Sequence, residues 1–406
     1  MINYDPIPQL HSLDDVLSKI DRYLRDAIQL KSANISLASG LSGVAFFYSA
    51  LSMRPNFESA DQYLQLLIDQ IYTNVSEIEF VDFRFFSGLP GIAFSMEILA
   101  HLQNPENVEN CSINDDIDDV IFNAVKHTSK IEHFDLISGL VGIGVYALGR
   151  TNRVARERIF NLVFDSLMKV SIKTEFGLCW RTEPKYQGYE SRNLNPPKGN
   201  FNLGLAHGVP GVIALFARAI LNGFQSSQLK DSLSDTTNWL LANERFGTES
   251  SFSVLSGVTY DARSAWCYGD PGVSIAVILS GIALQNDGII DRGLAIGLRA
   301  AKRLGPSAGV NDHGICHGSS GLVLIFDQLY RISGDEQFRF AADVWRQRIM
   351  NAAVSRLDIN NFATYLGDGT TSHQIGMLTG ISGIGLTLLS NPDEKIADWF
   401  NCLLIS

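Results

Sequence analysis

Charge is scarce in this chain: Asp, Glu, Lys and Arg together make up 18% of 406 residues, while 46% are hydrophobic. That balance excludes a disordered chain and predicts a large buried core. A basic excess is missing too. The net charge is −11, which excludes the cationic face that a nucleic-acid binder needs and is compatible with a cationic partner. Long hydrophobic runs are absent. The most apolar window, VSIAVILSGIAL at 273–284, is broken by glycine and falls short of the roughly 20 apolar residues that span a bilayer. The first residues, MINYDPIPQLHSLDDVL, lack the basic and apolar regions of a secretory signal. A soluble cytoplasmic protein with no membrane anchor of its own is expected. Cysteine is limited to five residues, an odd and sparse set that argues against a disulfide framework and favours metal or thiol chemistry.

Glycine, by contrast, recurs in a pattern. SGLSG (39–43), SGLPG (87–91), SGLVG (138–142), HGVPG (207–211), YGDPG (268–272), HGSSG (317–321) and TGISG (379–383) all carry Gly-x-x-Gly. One such motif carries no information; seven, with first glycines 48 to 69 residues apart, define an internal repeat. Each opens an apolar helical stretch such as VAFFYSAL, VIALFARAI or LVLIFDQLY. Amphipathic stretches lie between them, among them 13–28, 61–72 and 156–170, with apolar residues at helical spacing.

Helices that are apolar all round must be buried, whereas amphipathic ones can face water. The unit is therefore one inner and one outer helix. The first and last units are as apolar as the rest, where an open solenoid would need polar caps. The expected fold is all-α: a closed α/α toroid of seven inner and seven outer helices, one domain over 1–406. The glycines are expected to permit close backbone approach where helix ends crowd. Gly-, Pro- and Tyr-rich insertions at 174–200, 245–265 and 357–375 read as loops or short strands gathered on one rim.

Parallel inner helices would bring their N-terminal ends to one mouth. Just ahead of the first glycines stand Asp135, His207, Cys267, Cys316 and His317. Two thiolates and an imidazole suit a tetrahedral zinc ion, and three protein ligands leave one position open, the pattern of a catalytic site. Alone, each cysteine would read as a small buried hydrophobe; their shared register favours zinc. His207 reads as an acid/base group or as a fourth ligand. Asp135 reads equally well as a helix N-cap. Arg263, four residues before Cys267, reads by default as a surface charge. Cys111, Cys179 and Cys402 fall outside the register and read as structural or incidental. His11, His101, His127, His133, His313 and His373 are assigned none.

These motifs resemble the lanthionine synthetase C-like cyclases, which close thioether rings in lanthipeptides. The resemblance lies in LGLAHGVPGV (203–212), RSAWCYGDPGV (263–273), ICHGSSGL (315–322) and LTGISGIG (378–385), and the glycine repeat extends it over essentially the whole chain. It implies one zinc ion at the toroid mouth held by Cys267, Cys316 and His317. It further implies His207 as catalytic histidine, Asp135 as its acidic neighbour, and Arg263, Trp266 and Tyr268 as active-site companions.

The activity so implied is addition of a peptide cysteine thiolate to dehydroalanine or dehydrobutyrine, giving lanthionine or methyllanthionine. The implied partners are a dehydrated precursor peptide, a dehydratase and an export transporter, through which the protein would sit at the membrane periphery. Three other readings compete. A zinc prenyltransferase shares only the architecture. Relatives that add glutathione to dehydroamino acids share the family. A non-catalytic zinc-containing peptide-binding scaffold would not need the acid/base set at the mouth.

Overall fold

The computed structural model describes residues 12–28, 34–103, 114–127, 133–186, 199–354, 362–366, 369–391, 393–394 and 397–406. His11, Cys111 and the insertion segments 187–198, 357–361 and 367–368 lie outside the described residues. In chain order the helices are α1 (Leu13–Ile28), α2 (Leu41–Leu51), α3 (Ala60–Ser76), α4 (Leu89–Gln103), α5 (Asp115–Lys126), α6 (Leu140–Gly149) and α7 (Arg153–Val170). They continue as α8 (Val209–Leu221), α9 (Ser227–Leu241), α10 (Asp270–Leu284), α11 (Asp287–Ala301), α12 (Ser319–Ser333), α13 (Glu336–Val354) and α14 (Ile381–Leu389).

The even-numbered helices form the inner layer. Every residue of α2 is buried, whereas α1 buries only Val16, Leu17, Ile20, Leu24 and Ile28, one stripe at helical spacing. Each inner helix touches the next, from α2 through α4, α6, α8, α10 and α12 to α14, and α14 returns to α2. The ring is closed, as the absence of polar end units requires. Two short hairpins decorate it: Ile172–Thr174 with Gly177–Cys179, and Thr364–Tyr365 with Thr371–Ser372. Among the described residues no helix is long and apolar enough to cross a membrane.

The glycines permit the expected close approach, both to a neighbouring unit, where a Cβ on Gly142 would stand 2.4 Å from Phe85 Cβ, and to the unit's own loop. A Cβ on Gly88 would stand 2.1 Å from the Asp82 carbonyl oxygen, and one on Gly91 would stand 1.9 Å from that of Phe85. In both cases the obstacle is the unit's own loop, six residues back, folded under the helix start. Outer helices α7, α9 and α11 begin on side-chain caps from Asn152, Ser226 and Asn286. Inner helices begin on backbone instead. The N–H of Leu41, Leu89, Leu140, Val209, Ser319 and Ile381 each donates to a carbonyl seven residues earlier. The fifth unit departs, with Gly269 at φ +91. There the Asp270 carboxylate accepts N–H groups from Ser251 and Phe252 and pins the preceding insertion.

These loops are stitched into a belt. Leu136 N–H donates to Ala206, Ala206 to Cys267, Cys267 to Cys316, Cys316 to Leu378, Leu378 to Ala38, and Ala38 to Phe86, all at 2.8–3.3 Å. The bore inside the ring is not open. Residues Asp398–Leu403 form a 3-10 turn against α4 and α6, and Leu403, Leu404 and Ile405 are fully buried. Arg218, near the end of α8, donates to Ser406 O and Asn401 Oδ1. Apolar tail side chains therefore pack inside the ring, against the inner helices α4 and α6.

Candidate active site

The belt places the residues just ahead of each first glycine around one mouth. On its third and fourth loops, His207 Nδ1 lies 2.7 Å from Asp135 Oδ2. Asp135 Oδ1 accepts the Ser138 N–H at 2.7 Å, so the turn before α6 fixes the carboxylate's direction. The N-cap reading of Asp135 is not met: α6 starts at Gly139 without a side-chain cap, and Asp135 Oδ1 braces the turn before it instead. Asp135 is 1% exposed; the His207 side chain keeps 24% of its surface exposed. Burial alone would push the Asp135 carboxyl up, but His133 and His207 outweigh it and hold the group well below the usual carboxylate range.

Tyr268 packs beside His207 with ring centroids 6.0 Å apart, and its hydroxyl accepts from Asn202 Nδ2 at 2.9 Å. Asn202 Oδ1 in turn accepts the Gly204 N–H at 2.9 Å. A Cβ on Gly204 would stand 2.5 Å from Tyr268 Cδ1, which accounts for the first glycine of LGLAHG.

Cys267 and Cys316 are joined through the belt, Cys267 N–H donating to Cys316 O at 3.1 Å. His317 follows directly, with Nε2 at 2.9 Å from Asp312 Oδ2 and 3.2 Å from Tyr365 O. Burial lowers the proton affinity of His317, but Asp312 more than reverses this and Cys267 adds to the rise. The charge of Arg263 opposes protonation there. Asp312, 4% exposed, also accepts N–H groups from Gly314 and Tyr365. Among the described residues, no three His, Cys, Asp or Glu side chains converge to hold a metal ion as they stand.

Trp266 takes a different place from its sequence neighbours. It is fully buried, and its indole N–H donates to Leu403 O at 2.9 Å. It anchors the tail inside the bore.

Three polar residues of the site escaped the sequence reading: His133, Asn202 and Asp312. Their signal was available. The position six before each first glycine holds Asn34, Asp82, His133, Asn202, Arg263, Asp312 and Gln374, polar in all seven units.

Comparison with known proteins agrees with this architecture. The model of the family described as lanthionine synthetase C-like protein matches residues 31–404. The nisin biosynthesis protein NisC of Lactococcus lactis subsp. lactis is 27% identical over 379 residues, covering 87% of this chain and 84% of that one. The solved structure of nisin cyclase superposes with a TM-score of 0.74 at 24% identity, covering 97% and 96% of the two chains. With a family model matched from the first repeat to the tail in the bore, the chain belongs to the lanthionine synthetase C-like family.

Proposed function

We propose that this chain is a zinc-dependent lanthipeptide cyclase. It would add cysteine thiols of a dehydrated precursor peptide to dehydroalanine and dehydrobutyrine, closing lanthionine and methyllanthionine rings. The observation that carries the reading is the buried Asp135 carboxylate holding His207, on the same belt that joins the backbones of Cys267 and Cys316.

The residues fit zinc in kind. Cys267, Cys316 and His317 offer two sulfurs and one nitrogen, a common zinc set. His317 has the carboxylate partner that zinc-ligating histidines commonly keep, with Nε2 on Asp312, leaving Nδ1 for a metal. When bound there, zinc would supply a Lewis acid that favours loss of the proton from a peptide thiol.

The remaining steps belong to the chain. Addition forms an S–Cβ bond, moves the alkene electrons to Cα, and requires a proton at Cα. His207 Nε2, on the exposed side of the ring, is the group placed to exchange that proton. Asp135 fixes the ring through Nδ1 and stabilises its protonated form. Tyr268 bounds the ring's freedom from the side. Arg263 brings positive charge to the mouth, where the enolate oxygen develops negative charge. The reading brings a dehydratase as the source of the peptide and an exporter as its destination.

The test is zinc content of purified protein beside Cys316→Ala, with dehydrated peptide assayed by mass spectrometry and thiol blocking. The expectation is about one zinc in the parent, none in the variant, and ring closure only by the parent. A parent that neither holds nor rebinds zinc while still closing rings would overturn the zinc role. A zinc-loaded parent inert toward dehydrated peptides would overturn the cyclase reading.

A further inference from the structure

The Asp135 carboxylate serves two imidazoles. His133 Nε2 lies 3.3 Å from Asp135 Oδ2, the same oxygen that meets His207 Nδ1. Nε2 of His133 is buried and makes no hydrogen bond among the described residues, so this carboxylate is its near neighbour.

The ring is held rigidly. His133 stacks face to face on Tyr186 with centroids 4.4 Å apart and planes at 13°. It meets Phe134 edge-on at 5.0 Å, and its own carbonyl accepts the Leu140 N–H that starts α6. A buried imidazole aimed at an already engaged carboxylate has no packing reason to be polar. Phenylalanine would fill the same stack.

We propose that His133 is a positioning residue for the proton-transfer pair. It shares the Asp135 carboxylate with His207, fixing its aim and drawing off part of its charge, so that His207 releases a proton more readily. One carboxylate cannot fully stabilise two protonated imidazoles, so protonation of either discourages protonation of the other. The titratable groups around the pair are Tyr186, with Lys185 Nζ 4.8 Å from its ring, and Tyr268 beside His207. The inference rests on His207 as the proton-exchanging group, and its test does not need cyclisation to succeed.

The experiment is a pH titration of the histidine ring-carbon signals by NMR in carbon-13 histidine-labelled protein, with His207→Asn assigning one of the two resonances. In the parent, His133 and His207 should respond to each other's protonation with broadened or two-step curves. In His133→Phe the His207 midpoint should rise by about half a pH unit or more. In His133→Gln, which retains a donor, the rise should be smaller. With cyclisation active, the pH limb of kcat should move with it while KM stays. Independent single-step curves in the parent, or an unmoved His207 midpoint in folded His133→Phe, would overturn the proposal. Should that variant fail to fold, the parent's own curves decide. Coupled titration in a protein that closes no rings would sink the cyclase reading and leave the coupling intact.

Discussion

Gly91→Ala tests why the repeat is built on glycine. The new methyl carbon would lie 1.9 Å from Phe85 O and 3.3 Å from Leu37 Cβ. The first contact is with backbone, and the next carbonyl along, that of Phe86, accepts the Ala38 N–H of the belt at 2.9 Å. Gly91 is not among the positive-φ glycines, so the strain is steric alone. Overpacking costs about 1–3 kcal/mol where side chains can yield, and more where backbone must move. About 3 kcal/mol is expected here. At about 2.1 cal/mol/K per residue, a chain of 406 residues loses about 1 °C of Tm for each kcal/mol, so a fall of ~3–4 °C follows. Gly305→Ala is the matched control. Its backbone is extended at φ −106 and nothing stands within 4 Å of the added carbon. Alanine there should be neutral, or stabilise by about 0.4–1 kcal/mol through the unfolded chain. Thermal and urea unfolding followed by circular dichroism reads both variants. If Gly91→Ala melts with Gly305→Ala, close approach is not what demands glycine, and the account of the repeat is wrong.

Two further outcomes follow from charges held away from water. The Arg150 side chain is fully buried and donates to both Asp118 oxygens at 2.9–3.1 Å and to Glu97. Arg150→Met strands two buried carboxylates and should cost about 3–5 kcal/mol in urea unfolding; a loss under about 1 kcal/mol would show the network to be energetically idle. Asp312→Asn should weaken zinc binding about 10–100-fold in chelator competition. Unchanged affinity would leave Asp312 as a brace for the turn at Gly314 and Tyr365 only.

The repeat was legible because its cause is local. Each Gly-x-x-Gly answers a carbonyl six residues back, so the constraint recurs wherever the unit does. His207 and Asp135 were legible through the same register. His133 was missed because attention went to the residues just ahead of each first glycine and not to the polar position six before it, and only the fold shows both rings beside one oxygen. Asp312 was hidden likewise, since its role is expressed through His317. Trp266 was drawn toward the site by its neighbour Cys267, whereas the backbone turns its indole into the bore. Adjacent residues at a loop face different ways, and sequence order does not say which. The tail was invisible for another reason. DWFNCLLIS (398–406) is too short for a period to emerge, and its partners are contributed by four distant inner helices.

The tail decides how the mouth can be used. Its buried Leu403, Leu404 and Ile405 follow a turn packed against the inner helices α4 and α6, so on the proposed reading a peptide would meet His207 from the mouth side. There His207 is the exposed member of the cluster, its side chain 24% exposed, while Asp135 and His133 are 1% and 5% exposed. On the proposed reading such layering would serve acid/base chemistry: His207 would meet the substrate, while Asp135 and His133 stay where water and substrate side chains are excluded. The belt supplies the stiffness this needs: six backbone hydrogen bonds tie loops from all seven units, so a displacement at Cys316 must be shared with Cys267 and Leu378. Stiffness at the mouth therefore comes from backbone contacts between repeats.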